Sequence, residues 1–275
     1  MTSTADSTMV VATTGADGVT EIVVDRPPVN ALPVAGWYRL AEAVTAAGAD
    51  PATRAVVLRA QGRGFNAGVD IKQIQADPGN DALIGANRGC FAAFAAVYDC
   101  PVPVVAAVHG FCLGGGIGLV GNADIIVASD DATFGLPEVD RGALGAATHL
   151  SRLVPQHRAR AMLYTSASAT AAELHAYGSV LRVVPAADLR SAALEVARQI
   201  AAKDPAVIRA AKESLNGIDP WDVKRSYRYE QGFTFELNLS GVAHRVRDGF
   251  GDRLDTGPAQ QHGDRPGSAE PGREG

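Results

Sequence analysis

The feature that most constrains this chain is residues 103–149. An apolar run, Val104 to Val108, breaks at His109-Gly110; three consecutive glycines follow, Gly114, Gly115 and Gly116; a second apolar run, residues 124–128, comes almost at once. Short apolar runs bounded by turn signals read as buried strands. Three glycines at the head of a short helix leave bare backbone N–H groups. With the positive end of the helix dipole, such donors hold an anion or a developing oxyanion. Phe134-Gly135-Leu136-Pro137-Glu138 then carries acidic groups out of the fold. One segment therefore supplies an anion hole and a carboxylate.

Gly116-Ile117-Gly118-Leu119-Val120-Gly121 also fits the dinucleotide pattern G-x-G-x-x-G after a strand. That pattern needs a helix of several turns inside a unit of ~30 residues, whereas here the next strand begins a few residues later. A nicotinamide or flavin site is disfavoured, and no cofactor is expected.

With 275 residues, 47% hydrophobic and 20% charged, the chain has ample material for a core. A net charge of −5 gives no basic footprint for nucleic acid or a membrane surface. No apolar run approaches the ~18 residues of a membrane span, and the polar start is unlike a signal peptide, so a cytoplasmic location is expected. Cys90, Cys100 and Cys112 show no C-x-x-C spacing and read as apolar fillers rather than metal ligands.

In chain order, residues 10–14 and 19–24 read as a hairpin around Gly15-Ala16-Asp17-Gly18. Arg26-Pro27-Pro28-Val29-Asn30 breaks the strand and leaves extended backbone. Pro33 opens a helix with Trp37, Leu40, Ala41 and Val44 on one face, and residues 55–59 form a strand. A glycine-rich loop, residues 62–72, lies just past that strand, where α/β proteins place ligands. Further helices are expected over residues 87–98, from 147, and over 171–177, 189–202, 205–215 and 223–249, with a last strand at 180–184. Residues 1–9 are expected to be a flexible start, 10–200 the core, 201–250 a C-terminal helical region and 251–275 a disordered tail.

Arg26-Pro27-Pro28-Val29-Asn30-Ala31-Leu32, Gly64-Phe65-Asn66-Ala67-Gly68-Val69-Asp70-Ile71-Lys72, residues 107–116, residues 122–128 and Phe134-Gly135-Leu136-Pro137-Glu138 resemble, in order and spacing, the enoyl-CoA hydratase/isomerase (crotonase) superfamily. The resemblance implies an α/β fold, a crotonase-type spiral of ββα repeats with a C-terminal helical region. It also implies an acyl-CoA substrate and assembly as a homotrimer or dimer of trimers. It places the two oxyanion-hole amides at Ala67 and Gly115, and CoA along Pro28, Val29, Ala67, Val69, Asp70 and Ile71. Lys72 and Arg26 are candidates for the phosphates.

Hydratases of this family use two glutamates to share the added water. The position of the first is Gly118 here; the second is Glu138, with Asp140 close by. Glu138 and Asp140 are thus the candidate catalytic residues, with His149 and Glu230 as reserves. Gly118, residues 135–150 and residues 230–239 are further similar to the actinobacterial crotonases of steroid catabolism. That implies hydrolytic opening of a ring in a bulky bicyclic CoA thioester, through an enolate held in the oxyanion hole, with Gly118 leaving room for the bicyclic group. The alternatives are hydration or isomerisation of a bulky acyl-CoA, or non-catalytic binding of CoA esters or a partner.

Overall fold

A computed structural model describes residues 9–255, with side chains placed as far as Asp248. Most of the expected flexible start and of the expected tail lies outside the described residues. Met9, the last residue of that start, is buried, and its carbonyl accepts from Asp25 N at 2.9 Å.

The strands are β1 (Val10–Thr14), β2 (Val19–Val24), β3 (Ala55–Ala60), β4 (Val104–Val108), β5 (Phe111–Leu113), β6 (Ile125–Ser129), β7 (Thr133–Gly135), β8 (Ser168–Thr170) and β9 (Arg182–Val184). The helices are α1 (Val34–Ala49), α2 (Ile71–Ala76), α3 (Asp81–Asp99), α4 (Gly115–Val120), α5 (Ala147–Ser151), α6 (Gln156–Thr165), α7 (Ala171–Ala176), α8 (Leu189–Ala201), α9 (Pro205–Gly217), α10 (Val223–Leu239) and α11 (Val242–Asp255), with a 3-10 turn at Pro137–Arg141.

The large sheet runs β1-β2-β3-β4-β6-β9, parallel except for the β1–β2 hairpin, and a small sheet runs β5-β7-β8. The apolar runs seen in the sequence are the inner strands of the large sheet, and β4 is buried at every position. A parallel sheet is covered on both faces, so its strands read as continuous apolar runs. Val56, Leu58, Val104, Ala106 and Val108 face a core closed by Trp37, Leu40, Val44, Phe94 and Val97. Val57, Val105, Ala107 and Val127 face α8 through Leu189, Ala193, Val196 and Ala197.

The small sheet is what makes the chain a spiral. β4 pairs in parallel with β6, and β5 pairs in parallel with β7, so β4–β5–α4 and β6–β7–3-10 turn are successive copies of one unit. A lone bridge between Asn66 and Cys112 continues the small sheet back into the turn that follows β3. This second sheet was absent from the sequence expectation because its strands are three residues long, below the length at which alternation registers.

Other boundaries also differ. α3 begins at Asp81 rather than at 87. Residues 223–249 are two helices separated at Gly241, which has φ +75. α11 carries helix to Asp255, into the stretch assigned to the tail. Three contacts hold the C-terminal helices over the core. Lys212 Nζ lies 2.6 Å from Asp124 Oδ2, Glu230 binds the start of α5, and Ala243 packs so closely on Gly142 that a Cβ there would meet its Cα at 2.6 Å. No described helix is long and apolar enough to cross a membrane.

Candidate active site

A cavity of about 600 Å³ opens where the loops after β2, β3 and β5 meet the 3-10 turn and the C-terminal helices. Pro28, Val29, Ala67, Val69, Asp70, Ile71, Gly115 and Glu138 all line it. Asp140 does not; it is exposed. The correction has a simple cause, since residues two apart on a tight turn point to different sides and Glu138 takes the inward one. Ile71 also departs from expectation: it opens α2, with the Asp70 side chain accepting from Lys72 N as cap.

Two buried asparagines assemble the wall that carries Ala67 and Gly115. Asn30, at φ 54, donates through Nδ2 to the carbonyls of Gln61 and Gly64 at 2.7 and 2.8 Å. Asn66 Nδ2 donates to the Asn30 carbonyl at 2.6 Å, while its Oδ1 accepts from Gly68 N at 2.8 Å. The Asn66 carbonyl accepts from Leu113 N at 2.8 Å, which ties residues 64–68 to β5. The amides of Ala67 and Gly115 are thereby brought to one wall, and neither donates to a backbone acceptor among the described residues.

Glycine is required at two places in this arrangement. Gly68 has φ +84, and a Cβ there would lie 3.2 Å from Gly115 N. Gly114 has φ +56, and a Cβ there would meet Glu138 Oε1 at 2.5 Å. Because α4 has only six residues, this wall offers bare N–H groups rather than a long helix dipole.

The Glu138 carboxyl is turned inward. Its Oε2 is fully covered and has no hydrogen-bond partner among the described residues. Burial pushes its pKa up to about 8, against smaller lowering effects from a backbone hydrogen bond and the Arg141 charge. Near neutral pH it is mostly a neutral acid, and on losing its proton it is a strong base for a carboxylate. Cys90 lines the same wall, but burial drives its thiol well up, so it is no thiolate nucleophile.

The other expected candidates serve the fold. His149 is buried outside the cavity, with its ring 5.2 Å from Phe94 and 5.3 Å from Tyr227. Asn122 Nδ2 lies 3.0 Å from its Nδ1, and burial lowers its pKa to about 3. Glu230 accepts from Ala147 N at 2.7 Å, from Thr148 N at 2.8 Å and from the Thr148 hydroxyl. It caps α5 from α10. Arg26 is engaged by Asp70 at 2.8 Å and by the Ala31 carbonyl at 2.6 Å. Lys72 is exposed at the cavity edge and has no ion pair among the described residues.

Gly118 does not widen the cavity. It is absent from the lining, and a Cβ there would meet three carbons of the Phe94 ring at 2.1 to 2.5 Å. Phe94 is held edge-on to Trp37 at 5.7 Å and tilted against Tyr227 at 5.1 Å. A ring thus fills the space a first acid would need. The sequence places Phe94 with Phe91 and Val97 on a core-facing side of the 87–98 helix, as found, but gives no sign that its ring meets Gly118, because it arrives from α3. Sequence reading missed Arg247, for which there was a signal: a charge four residues after Ala243, on the apolar stripe of its helix.

The sequence profile of the family described as enoyl-CoA hydratase/isomerase matches residues 14–234. The chain belongs to that family. It is 64% identical over 253 residues, 92% of this chain and 97% of the relative, to the (7aS)-7a-methyl-1,5-dioxo-2,3,5,6,7,7a-hexahydro-1H-indene-carboxyl-CoA hydrolase of Rhodococcus jostii (strain RHA1). The protein of the same name from Mycobacterium tuberculosis is 66% identical over 241 residues, 88% of this chain and 98% of the relative. Carnitinyl-CoA dehydratase of Salmonella enteritidis is 34% identical over 215 residues, 77% of this chain and 82% of the relative. Among solved structures, an enoyl-CoA hydratase/isomerase from Xanthobacter autotrophicus Py2 superposes with a TM-score of 0.79 at 29% identity, covering 92% of this chain and 99% of that one.

Two outcomes follow from this geometry. Gly118→Ala should cost about 1–3 kcal/mol, the usual scale of overpacking, and adding Phe94→Leu should recover part of it; chemical denaturation of the single and double variants measures the coupling. Glu138→Gln should stabilise the fold increasingly with pH. The folded carboxyl titrates near 8 against an ordinary value of 4.5, so wild-type stability falls as pH rises between the two. From about pH 5.5 to about pH 9 the advantage of the Gln variant should grow by on the order of 3 kcal/mol, and a pH-independent difference would refute the assignment.

Proposed function

We propose that the protein is a hydrolase that opens a carbon–carbon bond in a ring of a bicyclic, steroid-derived acyl-CoA thioester. The observation that carries this reading is the cavity itself. It joins one acid with a fully covered Oε2, Glu138, to the bare amides of Ala67 and Gly115, while Phe94 fills the place of a second acid. The relatives named as hydrolases of a hexahydroindene-carboxyl-CoA, 64% and 66% identical over most of the chain, give the acyl class.

The chemistry is written for a substrate with a ring ketone conjugated to the thioester. Deprotonated Glu138 takes a proton from water as the oxygen adds to the ring carbonyl carbon. The tetrahedral adduct collapses by breaking the adjacent ring carbon–carbon bond. Its electron pair moves through the conjugated system to the thioester oxygen, which accepts from the Ala67 and Gly115 amides. The Glu138 carboxyl returns the proton to carbon as the enolate reverts. One water is consumed, and one carboxylic acid and one C–H bond are made. One side chain acts as base and then acid, so no second glutamate is required. Two-glutamate hydration of an enoyl-CoA has no counterpart at Gly118, and an acid with a raised pKa lining the cavity favours catalysis over mere binding.

CoA is part of the substrate, entering along Pro28, Val29, Val69, Asp70 and Ile71, with Lys72 at the edge for phosphate. A cytoplasmic location goes with such a substrate. Assembly as a homotrimer or dimer of trimers is supported by apolar side chains exposed on α10: Tyr229 at 72%, Phe233 at 39% and Leu239 at 78%.

The test follows ring opening of the bicyclic thioester by mass. Glu138→Gln should lose turnover by ~100-fold or more while still binding the ester, and Asp140→Asn should stay near wild type. The acid limb of wild-type kcat/KM should rise with pH and level off above about 8, the pH at which Glu138 gives up its proton. Normal turnover in the Gln variant overturns the assignment.

A further inference from the structure

The mechanism above leaves one buried charge on the cavity wall unused. Arg247, on α11, is 9% exposed and lines the same cavity as Glu138 and Gly115. Its Nη2 donates to Asn238 Oδ1 at 2.9 Å. Asn238 is itself fixed, since its Nδ2 donates to the Thr234 carbonyl at 2.7 Å. The Thr234 hydroxyl in turn bonds both the carbonyl and the amide of Leu144 at 2.6 and 2.9 Å. A guanidinium has five N–H donors in a rigid fork, and Asn238 takes one of them. Among the described residues Arg247 is in no ion pair, and burial lowers its pKa. The neighbouring Asp248 charge offsets only part of the burial, and a buried cation with no carboxylate in contact is costly, a cost that a ligand anion seated on its remaining donors removes.

Ring opening makes such an anion. Breaking a carbon–carbon bond beside a ketone with water turns that carbonyl into a carboxylic acid, which ionises at neutral pH. The product then carries a carboxylate and a thioester on one carbon skeleton. We propose that Arg247, oriented by Asn238, is the receptor for this second, non-thioester carboxylate, so that the protein recognises mono-CoA thioesters of dicarboxylic acids. The inference rests on the ring-opening reading for its biological meaning, but its binding claim stands apart from turnover. The planar fork matches a carboxylate with two parallel N–H···O bonds, a geometry a lysine does not reproduce. The wall that carries it comes from α10 and α11, whereas the CoA-lining residues come from the loops after β2 and β3. Thioester and carboxylate are thereby read by different parts of the chain.

The experiment compares hexanoyl-CoA with adipoyl-CoA by titration calorimetry, two thioesters of equal chain length that differ in a terminal carboxylate. Wild type should bind adipoyl-CoA at least ~10-fold more tightly. Arg247→Met should abolish that preference and leave hexanoyl-CoA affinity within about twofold, which also reports that the variant is folded. Should the Met variant fail to fold, Arg247→Gln keeps a polar bond to Asn238 without the charge and should lose the preference equally. Absence of a preference in wild type, or its survival in a folded variant, overturns the inference. An equal loss for both thioesters would assign Arg247 to the phosphates of CoA and overturn it too. Turnover of the bicyclic thioester is followed in parallel. Ring opening without a carboxylate preference defeats this inference alone, and a preference without ring opening defeats the functional reading alone.

Discussion

Residues 66–68 lie against residues 112–115 with no side chain between them, and the rest of the site depends on that approach. Gly68 has φ +84 and a Cβ on it would sit 3.2 Å from the Gly115 nitrogen, so any other residue there would be strained and would crowd that amide. The contact is held from outside by the Asn30–Asn66 network, whose buried polar atoms are bonded to backbone rather than to each other's side chains. Such a network is rigid because every alternative arrangement leaves a buried donor or acceptor unpaired. The placing of the Ala67 amide beside the Gly115 amide is therefore a consequence of polar satisfaction in the loops around them.

The same close packing sets the chemistry of Glu138. Its Oε1 occupies the space a Gly114 side chain would need, and its Oε2 is covered without a partner. Desolvation outweighs the nearby Arg141 charge, so the carboxyl stays protonated until the pH approaches 8. The fold gives up stability at neutral and alkaline pH to keep an acid in this state. A carboxyl whose pKa is raised by burial and which lines a cleft is a candidate for acid–base work.

What could be read from the sequence, and what could not, divides by sequence distance. Ala67, Gly115 and Glu138 each sit in a short motif that the family resemblance marks, and all three line the cavity. Asp140 looked equivalent to Glu138 in sequence, yet a 3-10 turn sends it outward, and turn geometry is not visible in residue spacing. His149 and Glu230 are titratable residues in plausible places, but one packs between Phe94 and Tyr227 and the other caps α5 from 82 residues away. Partners separated by that much chain carry no local signature. The three-residue strands of the small sheet failed for the opposite reason, being too short to show a period. The five- and six-residue inner strands of the large sheet, β3, β4 and β6, were legible because both their faces are buried.

Gly118 is the position where sequence reading had the right residue and the wrong consequence. A missing side chain suggests open space, but space in a core is filled to crystal-like density by whatever neighbour can reach it. Here the neighbour is Phe94, steadied by Trp37, Tyr227 and His149. The exchange removes an acid and installs a ring, which changes the electrostatics more than the volume. Two carboxyls at this spot would couple, each ionisation opposing the other, and would together grip one water. A single carboxyl beside an aromatic wall has no second acid in contact with it, only the smaller influences of the Arg141 and Glu230 charges. That suits a reaction in which water supplies both the oxygen that attacks a carbonyl and the proton that later quenches an enolate. The glycine thus acts through the phenylalanine it admits rather than through the room it leaves.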